Sequence, residues 1–180
     1  KPGRKNLTGR HLKIIKAFAT GDTAMNNTVY NAILLLGPTG TGKTPLGQQM
    51  ETRALWHRNY HHFDFGVNLR LAAEEKLDLP ENKQLSGKET AIIKSVLASN
   101  SLLADEDFPI AEKLLTAFIE KRILDPAFDV VILNGLPRQK SQAIALEKIV
   151  DLRVVITLSS TADTIYERIR TNSGGDREGR

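Results

Sequence analysis

Gly37-Pro38-Thr39-Gly40-Thr41-Gly42-Lys43-Thr44 follows the apolar run Ala32-Ile33-Leu34-Leu35-Leu36 without a break. The eight residues satisfy the pattern G-x-x-x-x-G-K-[ST], and the run before them reads as the buried strand that such a loop needs. Glycines at 37, 40 and 42 let backbone N–H groups converge on phosphate oxygens, and the following helix adds its N-terminal dipole to the same anion. Lys43 would reach the β- and γ-phosphates of a bound nucleotide, and Thr44 would ligate Mg²⁺. Gly37, Gly40, Thr41, Gly42, Lys43 and Thr44 are therefore the candidate nucleotide-binding residues.

Outward from this loop, strand-like runs at Asn31–Leu36, Tyr60–Phe65, Asp129–Leu133 and Arg153–Leu158 alternate with helical stretches at about Lys43–His57, Thr90–Ala98, Asp107–Arg122, Lys140–Ile149 and Thr161–Arg170. Alternation of this kind predicts an α/β fold of the phosphate-loop type: three αβα layers around a parallel sheet with helices on both faces. Roughly sixty residues separate the second run from the third, far more than a simple crossover of about a dozen needs. A helical subdomain inserted at about 66–125 accounts for the excess.

The chain has 180 residues, 41% of them hydrophobic, which is enough to bury a core without staples. It has no cysteine, which excludes disulfides, thiolate metal sites and a Cys nucleophile and fits a reducing, cytoplasmic setting. No apolar run has membrane-spanning length, and no signal-peptide region is visible. The net charge is +4, with Lys1, Arg4, Lys5, Arg10, Lys13 and Lys16 all ahead of the first acid, Asp22. No aromatic stacking platform accompanies these charges, so nucleic acid is not the expected partner. From Thr8, a candidate N-cap, to Gly21, a candidate C′ glycine, Leu12, Ile15, Phe18 and Ala19 share a helical face. Residues 1–30 are thus expected to form a basic amphipathic helical extension to the domain at 31–180. His57 and His61, four apart, lack a third ligand in pattern and predict no zinc site.

The segment closing the third strand reads Asn134-Gly135-Leu136-Pro137-Arg138-Gln139-Lys140-Ser141-Gln142. It resembles the D-G-F-P-R-x-x-x-Q signature of adenylate kinases within the nucleoside monophosphate kinase family. His62-Phe63-Asp64-Phe65-Gly66-Val67-Asn68-Leu69-Arg70 is similar to that family's H-I-S-T-G-D-L-L-R stretch, keeping His62, Gly66, Leu69 and Arg70. Leu102-Leu103-Ala104-Asp105-Glu106 is similar to its L-V-[TP]-D-E segment, and Glu167-Arg168-Ile169 to its E-R-L segment. The resemblance covers about residues 31 to 180 and implies transfer of the γ-phosphoryl group of Mg·ATP to AMP. It implies that Arg70 and Arg138 clamp the acceptor monophosphate and Gln142 hydrogen-bonds its adenine. Gly66, Leu103 and Gly135 would line the acceptor, and Arg168 would contact ATP, joined by Arg177 or Arg180 from a lid that begins at about 172. Phosphoryl transfer runs on positioning and charge neutralisation, so cations and N–H groups are the expected equipment.

Four residues depart from that pattern. Pro45 stands where the family has a threonine whose N–H faces the α-phosphate, and proline has no N–H. Phe65 replaces an acceptor-contacting threonine and Val67 an aspartate. Asn134 replaces the aspartate that organises hydrated Mg²⁺, leaving Thr44 and, through water, Asn134 as the metal candidates. These departures keep two alternatives open: a nucleotide-binding regulator with little turnover, and a small-molecule kinase with a non-nucleotide acceptor. The family continues past the lid into a fifth strand, so the chain is expected to be cut short at Arg180. The fourth strand would then present an open edge.

Overall fold

The computed structural model describes the backbone of residues 12–16, and backbone and side chains of residues 29–123 and 125–171. Five strands form one sheet: β1 (Leu12–Lys16), β2 (Tyr30–Leu36), β3 (Asn59–Asp64), β4 (Asp129–Asn134) and β5 (Val150–Leu158), in the order β1-β5-β2-β4-β3. The last four are mutually parallel, as expected, and β1 runs antiparallel to β5. The helices are α1 (Lys43–Arg53), α2 (Phe65–Ala73), α3 (Gly87–Ser99), α4 (Phe108–Arg122), α5 (Lys140–Leu146) and α6 (Ala162–Arg170).

Alternate residues of each strand feed opposite faces of the sheet, and two cores result. Ala32, Leu34, Phe63, Val131 and Leu133 pack under the helices of the β3–β4 connection and α5. Ile33, Leu35, Tyr60, Val130, Ile132 and Ile156 pack on the other face with Leu46 and Met50 of α1. All six residues of β4 are buried, and between Asp129 and Asn134 its sequence is a continuous apolar run. The chain leaves β2 toward β4 and β3 on one side, then returns to β5 on the other. That reversal is a topological switch point, and ligands of such sheets bind outside the carboxyl ends of the strands there. The phosphate loop, Asp64 and Asn134 all lie at these carboxyl ends.

The structure corrects several expectations. Residues 12–16 are a strand, not part of a helix; β-branched Ile14 and Ile15 suit a strand, and the free edge of β5 supplies a pairing template. That edge is therefore paired rather than open, with Leu12 opposite Leu158 and Lys16 opposite Val154. The first helix stops at Arg53 instead of His57, because Ala54, Trp56 and His57 adopt positive φ. Helix α2 was not foreseen; its signal is Asp64, whose carboxylate accepts the Val67 N–H at 3.1 Å as N-cap. The helix expected at Lys140–Ile149 ends at Leu146. The remainder of the 8–21 segment and the lid start at 172–180, with Arg177 and Arg180, lie outside the described residues.

Candidate functional site

The loop after β2 is shaped by its glycines. Gly37 (φ 141), Gly40 (φ 88) and Gly42 (φ 96) hold a conformation that L side chains rarely adopt. A Cβ at Gly37 would also come closer than 3.0 Å to the Leu158 carbonyl oxygen, so the loop is pressed against the end of β5. Thr41 is buried, and its hydroxyl and N–H both donate to the Pro38 carbonyl, at 2.8 and 3.3 Å. Lys43 Nζ lies across the loop, donating to the carbonyls of Gly37 (2.6 Å) and Pro38 (3.0 Å). From the other side Arg168 of α6 donates to the Gly40 carbonyl at 3.1 Å, and Ile165 and Ile169 pack on Gly40.

Gly42 caps α1, and the Leu46 N–H closes the first helical hydrogen bond onto the Gly42 carbonyl at 3.1 Å. The residues ahead of Leu46 fall where helical N–H groups have no intrahelical acceptor. Pro45 is one of them and brings no N–H, so α1 loses no hydrogen bond by it.

Thr44 faces a polar cluster at the ends of β3 and β4. Its hydroxyl donates to Asp64 Oδ2 at 2.7 Å, and Asn134 Nδ2 donates to the same Oδ2 at 2.8 Å and to Thr44 Oγ1 at 3.0 Å. The His62 Nε2 lies 3.4 Å from Asn134 Nδ2. Burial pushes the His62 imidazole below its ordinary value, against the pull of the Asp64 and Glu51 carboxylates, so the ring is neutral at neutral pH. Helix α1 lies flush on this ring at Gly47. Among the described residues no group of three or more His, Asp or Glu side chains could hold a metal unaided. The hydroxyl and carboxylate oxygens at Thr44 and Asp64 nevertheless suit a hard cation that takes its other ligands from phosphate and water. His57 sits in a turn with positive φ, whereas His61 faces Asp129 at 3.5 Å.

The arginines expected on an acceptor each lie beside one of two neighbouring glycines. Gly135 has φ 93, and a Cβ there would lie 3.9 Å from the Gly66 nitrogen and 3.8 Å from Arg138 Nη2. A Cβ at Gly66 would lie 3.7 Å from Arg70 Nη1. Arg138 Nε donates to the Gly135 carbonyl at 2.8 Å, and the Leu136–Pro137 bond between them is cis. Gln142 is buried, and its Oε1 accepts the Arg138 N–H at 2.8 Å. Leu103 and Phe65 are both buried in the apolar core. A cleft of about 490 Å³ adjoins Thr44 and Asp64 and extends to Phe118, Lys121 and Arg122. Arg70, Arg138 and Gln142 do not line it.

Sequence reasoning assigned Asp64 no role. The signal that could have found it is positional: a carboxylate closing the strand whose neighbour in the sheet closes on Asn134.

No family model matches the chain. It is 30% identical over 139 residues to the adenylate kinase of Treponema denticola, a match that takes in 76% of this chain and 56% of that protein. The chain thus spans about half the length of this curated relative. No helix among the described residues is long and apolar enough to cross a membrane.

Proposed function

We propose, from the premise that the chain belongs to an adenylate kinase-like family as a divergent member, that it transfers the γ-phosphoryl group of Mg·ATP to AMP. The observation that supports this reading is the approach of Gly66 to Gly135, each with one of the two arginines near it, Arg70 at Gly66 and Arg138 at Gly135, at the same end of the sheet as the phosphate loop. Donor and acceptor phosphates would then face each other across the ends of β2, β3 and β4. In that arrangement Lys43 gives up the Gly37 and Pro38 carbonyls for phosphate oxygens. Arg168, already on the loop at Gly40, neutralises the donor from the opposite side. Arg70 and Arg138 hold the acceptor, since a guanidinium matches phosphate oxygens bidentately. Mg²⁺, when bound, would neutralise the β- and γ-oxygens.

Gln142 shapes this site first through the backbone. With one lone pair of its carbonyl taken by the Arg138 N–H, its amide NH₂ is the group with both hydrogens left to meet an adenine nitrogen. A coupled assay of ADP formation with ATP and each nucleoside monophosphate tests the reading. It predicts AMP-dependent turnover that Lys43→Ala removes; the absence of acceptor-dependent ADP would refute it. Pro45 favours a second reading, a nucleotide-binding regulator, in which ATP binds and turnover stays at background. The third reading, a non-nucleotide acceptor admitted by Phe65, loses support because Phe65 packs on Phe63 at 6.3 Å between ring centroids, inside the core.

A further inference from the structure

Resting on that reading of the site, we infer that Asp64 supplies the metal-organising carboxylate of this chain, in place of the amide at Asn134. The two residues are register partners at the carboxyl ends of the parallel neighbours β3 and β4. Both reach the Thr44 hydroxyl, Asp64 as acceptor at 2.7 Å and Asn134 as donor at 3.0 Å. A hydroxyl has one proton and two lone pairs. The Thr44 proton goes to Asp64, one lone pair to Asn134, and the second lone pair is left for a cation.

Asn134 is oriented as a donor. Its NH₂ reaches Asp64 Oδ2 at 2.8 Å and offers a cation nothing. Had position 134 kept a carboxylate, two negative charges would stand within hydrogen-bond distance, and one would be driven to protonate. An amide at 134 and a carboxylate at 64 are therefore a complementary pair, in which the charge has moved one strand across the sheet. The carboxylate is held in place from its other side, because Asp64 Oδ1 accepts the Val67 N–H at 3.1 Å as the cap of α2. The other groups around the expected phosphates, Lys43, Arg70, Arg138 and Arg168, are all cationic. Asp64 is a positioning residue: it fixes Thr44 and lends negative charge to the metal side of the loop.

The test is calorimetric titration of ATP into the full chain, once in EDTA and once with Mn²⁺, with the free Mn²⁺ paramagnetic signal as a direct count of bound metal. Wild type, Asp64→Asn and the exchange variant Asp64→Asn/Asn134→Asp are compared. Asparagine at 64 keeps the cap on α2, so the fold is expected to survive. The expected result is that Asp64→Asn loses about 10–100-fold of the Mn²⁺ enhancement, leaves ATP affinity in EDTA unchanged, and regains most of the enhancement in the exchange variant. Full enhancement in Asp64→Asn overturns the assignment. So does an equal loss in EDTA, which a purely structural role would give, or an exchange variant that regains nothing. Wild type that binds no ATP in either buffer refutes the nucleotide-site reading and the metal assignment together. ATP binding whose Mn²⁺ enhancement Asp64→Asn leaves untouched refutes the metal assignment alone.

Discussion

Gly47→Ala tests whether the polar cluster is held in shape by close packing of α1 on β3. A Cβ at Gly47 would stand closer than 3.0 Å to three atoms of the His62 ring, Cγ, Cδ2 and Nε2. The ring has no flexible end to yield, and its Nε2 side is occupied by Asn134 at 3.4 Å. Relief requires α1 to lift or the ring to turn, an overpacking cost of about 1–3 kcal/mol. Against it stands the helix-propensity gain of alanine over glycine, about 1 kcal/mol. The overlap involves ring atoms on a partly buried side chain, so the upper part of the range applies and a net loss of about 1–2 kcal/mol is expected. For a domain of this size that is a Tm lower by about 2–8 °C. Gly87→Ala is the control, since nothing lies within 4 Å of a Cβ at the first residue of α3; it should be neutral or slightly stabilising. Urea unfolding of both variants reads the difference. If Gly47→Ala is as stable as wild type while Gly87→Ala behaves as expected, the reasoning about this contact is wrong.

Arg138→Ala and Arg70→Ala should each raise KM for AMP at least tenfold while leaving ATP affinity near wild type, as measured by acceptor and donor titrations, because each removes a charge-assisted contact of about 1.5–3 kcal/mol. Pro45→Thr restores an N–H in the first turn of α1, where Pro45 is exposed, and should tighten ATP several-fold by calorimetry. Ser86→Ala should cost about 1 kcal/mol in denaturant unfolding, because Ser86 and Glu89 form a reciprocal capping box on α3. Burial works to raise the Glu89 carboxyl, but hydrogen bonds from Lys113 and Ser86 outweigh it and hold the group below its ordinary 4.5. A carboxyl depressed on folding stabilises above its unfolded value and loses that contribution as pH falls through the folded one. The stability advantage of wild type over Glu89→Gln should therefore be full at pH 6 and shrink below about pH 4.5.

The phosphate loop was legible because its chemistry is local. Eight consecutive residues place Gly37, Gly40, Gly42, Lys43 and Thr44, and the apolar run before them fixes the strand. Arg70 and Arg138 were legible as members of short segments, yet the approach of Gly66 to Gly135, near which each arginine lies, spans 69 residues of chain. Asp64 could not be read the same way. Its relation to Asn134 exists only in the β3–β4 register, and an unfamiliar residue in a divergent segment carries no spacing signal. Residues 12–16 show the opposite failure: Leu12 and Ile15 satisfy a helical period, but the edge of β5 decides the outcome, and tertiary pairing overrides a local pattern. Gln142 was visible only as the last residue of a resembling segment, and its bond to the Arg138 N–H appears only once the turn around Pro137 is built.

Binding of two adenosines joined by five phosphates would test the central claim, that one chain holds a donor and an acceptor phosphate site side by side. Calorimetry should give one molecule per chain, bound more tightly than ATP, and weakened by both Lys43→Ala and Arg138→Ala. Binding no tighter than ATP and indifferent to Arg138→Ala would contradict it.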